Sequence, residues 1–223
     1  MKLWLYSSGS GRDNEEIDLE LIRSIYNPRP KFTFIPASFE ESEEYYDEFV
    51  ERFAHYTYAT FNIFHVDQPF DFRKWTRAKE SDLIYISGGN TYHLMASLRK
   101  SGIAGSLKKF LKKGGIIAGH SAGAIVTTPM ISSAGYPASE ADENFVNLQN
   151  LEGLDIVPFE IFPHYDNGKL HNRTLIRESI QNQHPIYALY DGTAIAIEGS
   201  KISFYGPIDR FEAGQKSQVG IDS

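Results

Sequence analysis

Two short runs, Leu83-Ile84-Tyr85-Ile86 and Ile116-Ile117-Ala118, carry no charged side chain and are apolar at every position. Side chains alternate across a β-strand, so a strand without a polar face must be covered on both sides. Parallel strands of α/β proteins meet that condition, because crossover helices pack on each face. The rest of the chain supplies such helices in alternation with more strands. Further strands are expected at residues 3–6, 31–35, 60–66, 156–162 and 186–190. Residues 15–26 put Ile17, Leu21, Ile22 and Ile25 on one helical face, and residues 40–55 do the same with Tyr45, Phe49, Val50 and Phe53. Helices are also expected at 71–79, 91–99, 104–113 (ended by Gly114-Gly115) and 170–182. Residues 194–198 and 202–205 flank Gly199-Ser200 as a hairpin, and residues 128–152 read as a loop region able to border a site. The expectation is a three-layer, doubly wound, mostly parallel α/β sheet with a C-terminal β-hairpin, in a single domain over residues 1–223.

Composition narrows the chemistry. Among 223 residues there is no cysteine, which excludes a disulfide framework, a thiolate zinc site, an iron–sulfur cluster and a cysteine nucleophile. Twenty-two Lys and Arg against 29 Asp and Glu give a net charge of −7, so neither nucleic acid nor an anionic membrane is an expected partner. The apolar run at Met1–Tyr6 gives way to Ser7-Ser8-Gly9-Ser10, too early for a signal peptide or a membrane span. A cytoplasmic monomer or homodimer without cofactor or metal is expected.

The most specific local pattern is Gly119-His120-Ser121-Ala122-Gly123, between the apolar strand and the helical stretch Ala124-Ile125-Val126. In that context G-x-S-x-G marks a nucleophile elbow. The turn is so tight that the residues around the serine must be small, as Gly119, Ala122 and Gly123 are. The serine hydroxyl is then presented at a helix N-terminus, where the Ala122 amide and the helix dipole can stabilise an oxyanion. Ser87-Gly88-Gly89-Asn90-Thr91 follows the other buried strand, at the sheet edge where open α/β proteins bind ligands. Its two glycines allow close backbone approach, suited to the other half of an oxyanion hole, although Asn90 or Thr91 could simply cap the next helix.

A serine nucleophile needs a base, and seven histidines compete. His55 and His65 fall in early elements expected far from the elbow, His93 on the helix after the glycine turn, His120 at the variable position of the elbow, His171 on a helix surface and His184 in a turn before Pro185. His164, in Phe162-Pro163-His164-Tyr165-Asp166, lies at a strand's C-terminal edge and is the favoured base. Asp191, in Tyr190-Asp191-Gly192, is the favoured orienting acid, with Asp142, Asp155, Asp166 and Glu160 as competitors. The order Ser121…His164…Asp191 differs from the Ser…acid…His order of α/β-hydrolases.

Ser87-Gly88-Gly89-Asn90-Thr91, Gly119-His120-Ser121-Ala122-Gly123-Ala124 and Pro163-His164 together resemble the family S51 serine peptidases, the group that holds the aspartyl dipeptidase peptidase E and cyanophycinase. The resemblance implies a class I glutamine amidotransferase-like, flavodoxin-type sheet. Amidotransferases of that fold use cysteine at the elbow, and this chain offers only serine. It further implies Ser121 as nucleophile, His164 as general base, a carboxylate at Asp191, and oxyanion amides from Gly89 and Ala122. Peptidase E selects an N-terminal aspartate with a basic residue downstream of the histidine; Lys169, Arg173 and Arg177 are the candidates here, Arg173 foremost. The expected substrate is a short peptide. The rival readings are an esterase or amidase on a non-peptide substrate, and a nucleotide or small-anion binding module built on Gly88-Gly89-Asn90.

Overall fold

The computed structural model describes residues 1–9, 11–40 and 42–220. In chain order its first half comprises β1 (Lys2–Tyr6), α1 (Glu15–Arg23), β2 (Lys31–Ile35), α2 (Ser42–Ala54), β3 (Thr60–Ile63), α3 (Phe72–Ala78), β4 (Leu83–Ile86), α4 (Thr91–Lys100) and α5 (Ala104–Lys112). There follow β5 (Ile116–His120), α6 (Ala122–Ile125), a 3₁₀ turn at Ser132–Gly135, β6 (Glu160–Phe162), α7 (Lys169–Gln181) and β7 (Ile186–Leu189). Four strands close the described chain: β8 (Ala194–Glu198), β9 (Lys201–Tyr205), β10 (Ile208–Glu212) and β11 (Gln215–Gly220).

The main sheet runs β3-β2-β4-β5-β1-β8-β9, parallel from β3 to β1 and closed on one side by the antiparallel β8–β9 hairpin. Successive residues of β1 serve opposite cores. Trp4 and Tyr6 pack with Ile17, Leu21, Phe49 and Phe53 of α1 and α2, while Leu3 and Leu5 pack with Trp75, Leu94, Leu98, Leu107 and Leu111 of α3, α4 and α5. All four residues of β4 are buried, as a strand covered on both faces requires. This is the three-layer α/β architecture expected from the sequence. No helix among the described residues is long and apolar enough to cross a membrane.

One expectation is corrected. The strands around residues 160 and 186 do not extend the main sheet. β6 and β7 pair in parallel in a second sheet, ordered β11-β10-β7-β6. Its outer hairpin, β10–β11, has little sequence signature because Gln215-Lys216-Ser217-Gln218 is polar and exposed throughout. β6 is also shorter than the apolar run that contains it. Residues 154–156 are held instead by the segment after α6, through Leu154 N–Val126 O (2.7 Å) and Ile156 N–Thr127 O (2.8 Å). The sheets share one core, since Ile161, Leu189 and Ile208 of the second pack with Ile117 and Ile195 of the main sheet.

Glu160 opens β6 with a buried side chain whose carboxylate oxygens, like the Tyr136 hydroxyl and Asn182 Nδ2, find no partner of good hydrogen-bond geometry among the described residues. Burial pushes its carboxyl up to about 7, with the Asn182 amide pulling it back and the Glu178 charge adding. Between the ordinary value of 4.5 and about 7, the native state keeps a proton that the unfolded chain has lost. Stability therefore falls as pH rises through that window. Glu160→Gln should remove this slope and gain on the order of 2–3 kcal/mol at about pH 8, with little gain near pH 4. Denaturant melts at both pH values check it, and equal gains at the two would contradict the assignment.

Candidate active site

The elbow is held by close backbone packing. A Cβ on Gly123 would lie 2.1 Å from the Ile86 carbonyl oxygen, and one on Gly119 would lie 2.4 Å from that of Gly123. No side chain fits at either position, so the turn after β5 seats directly against the end of β4. Ser121 takes up the strain, at φ 48° and ψ −110°. Such a conformation costs roughly 1–3 kcal/mol and persists only where the surroundings over-determine it. Here the Ser121 amide donates to Tyr6 O (3.1 Å), while Ser121 O accepts from the amides of Ala124 and Ile125 (2.9 and 3.0 Å). α6 is a single turn, so the helix dipole expected at the serine is weak.

His164 and Asp191 arrive from the second sheet. Phe162 of β6 pairs with Ala188 of β7 in parallel register, so the residues beyond both strands emerge at one edge. His164 Nε2 lies 2.8 Å from Ser121 Oγ, and His164 Nδ1 lies 3.1 Å from Asp191 Oδ1. The side chains of His164 and Asp191 are both about half exposed. Of the competing acids, Asp166 pairs with His171 and Asp142 accepts the Thr91 amide, while Glu160 is buried in β6. Two histidines differ from expectation. His55 lines the same pocket as Ser121, because α2 turns its C-terminal end toward the elbow. His171 is buried, not on a helix surface, and is clamped between Glu140 (2.6 Å) and Asp166 (2.8 Å).

Gly88 and Gly89 bring backbone against the serine. A Cβ on Gly88 would stand 3.4 Å from Ser121 Cβ; Gly89 has φ +130°, and its Cβ would lie 2.7 Å from that of Ala37. The Asn90 side chain is occupied at both ends. Its oxygen caps α4 at the His93 amide (2.9 Å), and its nitrogen donates to Glu143 O (2.8 Å).

Ser121, His164, Gly88 and Gly89 line a cavity of about 1080 Å³. Two guanidinium groups, of Arg12 and Arg52, share it with the carboxylates of Glu15, Glu48 and Glu51. Arg52 grips the fully buried Asp18 with two bonds of 2.6 Å, and the Tyr6 hydroxyl donates to the same carboxylate (3.1 Å). Burial raises the Asp18 carboxyl, and Arg52 pulls it back. His120, stacked on Tyr85, is pushed down to about 3 by burial, with the Arg52 and His164 charges adding, so it stands neutral beside the serine. Arg173 sits on the exposed face of α7, outside the cavity lining. The polar floor under the pocket has almost no sequence signature, since Asp18 and Arg52 stand 34 residues apart on different helices.

A strained serine after a buried parallel strand, bonded to a histidine and through it to an aspartate, defines a doubly wound α/β protein with a serine–histidine–carboxylate chain at its strand ends. The chain belongs to peptidase family S51, whose model matches residues 3–205. It is 31% identical over 128 residues to an uncharacterised peptidase of Listeria monocytogenes, covering 57% of this chain and 62% of that protein. It is 28% identical over 159 residues to peptidase E of Streptomyces coelicolor, covering 66% and 63%, so the match spans under two thirds of each of these relatives. Peptidase E of a Nostoc species is 27% identical over 199 residues, 84% of this chain and 78% of that one. Among solved structures, a candidate peptidase E from Listeria monocytogenes superposes with a TM-score of 0.72 at 26% identity, over 91% of this chain and 96% of its own. A peptidase from an actinobacterium shares the fold, with a TM-score of 0.72 at 20% identity over 98% and 93%.

The Arg52–Asp18 pair should prove costly to break and cheap to delete whole. Arg52→Met, which strands a buried carboxylate, should lose about 3–5 kcal/mol, and the Asp18→Asn, Arg52→Met double variant should recover most of it. Denaturant melts of the three proteins check this; a double variant no more stable than Arg52→Met would contradict it.

Proposed function

We propose that the chain is a serine peptidase of short peptides, with Ser121 as nucleophile, His164 as general base and Asp191 as the orienting acid. The observation that carries this reading is the unbroken hydrogen-bonded path from Ser121 Oγ through both imidazole nitrogens to Asp191 Oδ1. His164 Nε2 takes the hydroxyl proton as Ser121 Oγ attacks the scissile carbonyl carbon, then delivers it to the leaving amine. Water, deprotonated by the same nitrogen, releases the acyl group. Asp191 fixes the imidazole tautomer with its proton on Nδ1, and the amides of Gly89 and Ala122 receive the oxyanion.

The charged lining favours small, charged peptides over long chains. The Arg12 side chain makes no hydrogen bond or ion pair among the described residues and is free to receive a substrate carboxylate, as an Asp-X dipeptide would present. Arg173, outside the lining, is the weaker candidate for that contact. The acidic groups Glu15, Glu48 and Glu51 suit the free ammonium of the same substrate.

Hydrolysis of an Asp-X and X-Leu dipeptide panel, with p-nitrophenyl esters beside it, tests the reading. Ser121→Ala should abolish peptide hydrolysis, a loss of about 10⁴-fold or more, without lowering the melting temperature. Arg12→Ala should cut kcat/KM for Asp-X roughly 10- to 100-fold and spare X-Leu, with Arg173→Ala near wild type. Turnover retained in Ser121→Ala would sink the proposal, and ester hydrolysis without peptide hydrolysis would favour the esterase reading.

A further inference from the structure

Neither His164 nor Asp191 is held by burial. Both side chains are about half exposed, and His164 also has φ 56°, in the left-handed region that non-glycine residues seldom adopt. Something must fix them, and what touches both is Ser7, the residue just beyond β1. Its side chain is fully buried. Ser7 Oγ accepts the His164 amide at 2.9 Å, and lies 3.2 Å from Asp191 Oδ1 and 3.0 Å from Leu189 O.

A hydroxyl has one proton to give and two lone pairs to receive. The His164 amide takes one lone pair, so the single Ser7 proton serves Leu189 O or Asp191 Oδ1. Leu189 O already accepts the Tyr165 amide (3.0 Å), and Asp191 Oδ1 is the same atom that faces His164 Nδ1. The Ser7 backbone is fixed in turn, its amide bonded to Thr193 O (3.1 Å), while Ser8 O takes the Gly192 amide (2.8 Å). One residue earlier, Tyr6 O accepts the Ser121 amide (3.1 Å). The dipeptide Tyr6-Ser7 therefore touches the backbone or side chain of all three members of the serine–histidine–aspartate chain.

We propose that Ser7 is a positioning residue for the peptidase reaction, its buried hydroxyl setting the left-handed His164 backbone and the Asp191 carboxylate at one distance from Ser121. The proposal rests on the assignment of Ser121, His164 and Asp191 made above. Without the hydroxyl, the His164 amide loses its buried acceptor and the Asp191 carboxylate loses a polar neighbour at 3.2 Å, so the imidazole is free to swing into solvent. Misplacement of a catalytic group by about 1 Å is enough to cost on the order of 100-fold in rate. Ser7 itself is not among the residues lining the cavity, so binding should be spared.

Ser7→Ala and Ser7→Thr, assayed below the melting temperature of both, separate positioning from mere structural support. Threonine keeps the hydroxyl but adds a methyl group to a filled site, so it should melt lower than alanine. A positioning role predicts that Ser7→Ala loses about 10- to 100-fold in kcat with KM within about twofold, while the less stable Ser7→Thr keeps more turnover than Ser7→Ala. Activity that follows melting temperature across wild type, Ser7→Ala and Ser7→Thr would overturn the proposal, as would wild-type kcat in Ser7→Ala. Ser121→Ala and His164→Ala assayed alongside keep the two claims apart. Loss of activity in both with none in Ser7→Ala removes Ser7 alone, whereas retained activity in Ser121→Ala removes the triad and Ser7 with it.

Discussion

The site depends on a contact between two stretches of backbone. Where α6 begins, Gly123 lies so close to the Ile86 carbonyl that a single methyl group would collide with it. That approach locks the turn after β5 onto the end of β4 and leaves Ser121 in a conformation it would not otherwise hold. It also sets the serine beside Gly88-Gly89, whose backbone can come near only because neither residue has a side chain. The serine and the two glycines are thus placed by packing alone, and under the proposed mechanism that placement is the preorganisation catalysis requires.

The second dependence is between sheets. The serine stands on the main sheet, while the histidine and aspartate stand on the smaller one. Their 2.8 Å and 3.1 Å contacts are only as reliable as the joint between the two. That joint is a continuous apolar core, with Ile161, Leu189 and Ile208 packed against Ile117 and Ile195, and it is pinned at the surface by polar contacts from the end of β1. β1 is suited to this task because it is central, flanked by β5 on one side and β8 on the other. Beside the pocket the buried Asp18–Arg52 pair ties α1 to α2, while Arg12, whose side chain makes no hydrogen bond or ion pair among the described residues, also lines the cavity.

The fold was legible in the sequence where one face or both faces of an element are apolar. The β4 and β5 runs, the amphipathic α1 and α2, and the β8–β9 hairpin all carried that signal. β10–β11 did not, because its outer strand is polar on both faces, and the split into two sheets did not, because β6 and β7 read locally like any other buried strands. Of the site residues, Ser121 was marked by the small residues its turn requires, and His164 by its place after an apolar run. Ser7, Arg12 and Arg52 were silent, and His120 was visible only as the variable residue of the elbow. A serine after a strand, or an arginine on a helix, has the same local pattern whether it lines a cavity or faces water; only the tertiary path that brings residue 52 to residue 18 tells them apart. His171 was misplaced for the same reason, its helix position being sound and its burial set by a loop 31 residues away.

The central claim is that Ser121 is an activated nucleophile whose activation comes from His164. Covalent labelling with a fluorophosphonate, located by peptide mapping in a mass spectrometer, tests it most directly, since the reagent needs no knowledge of the substrate. The account predicts one modified residue, Ser121, in the wild type, and labelling slowed by about 100-fold or more in a folded His164→Ala variant. Label carried by another serine, or Ser121 labelled at an unchanged rate in His164→Ala, would contradict it.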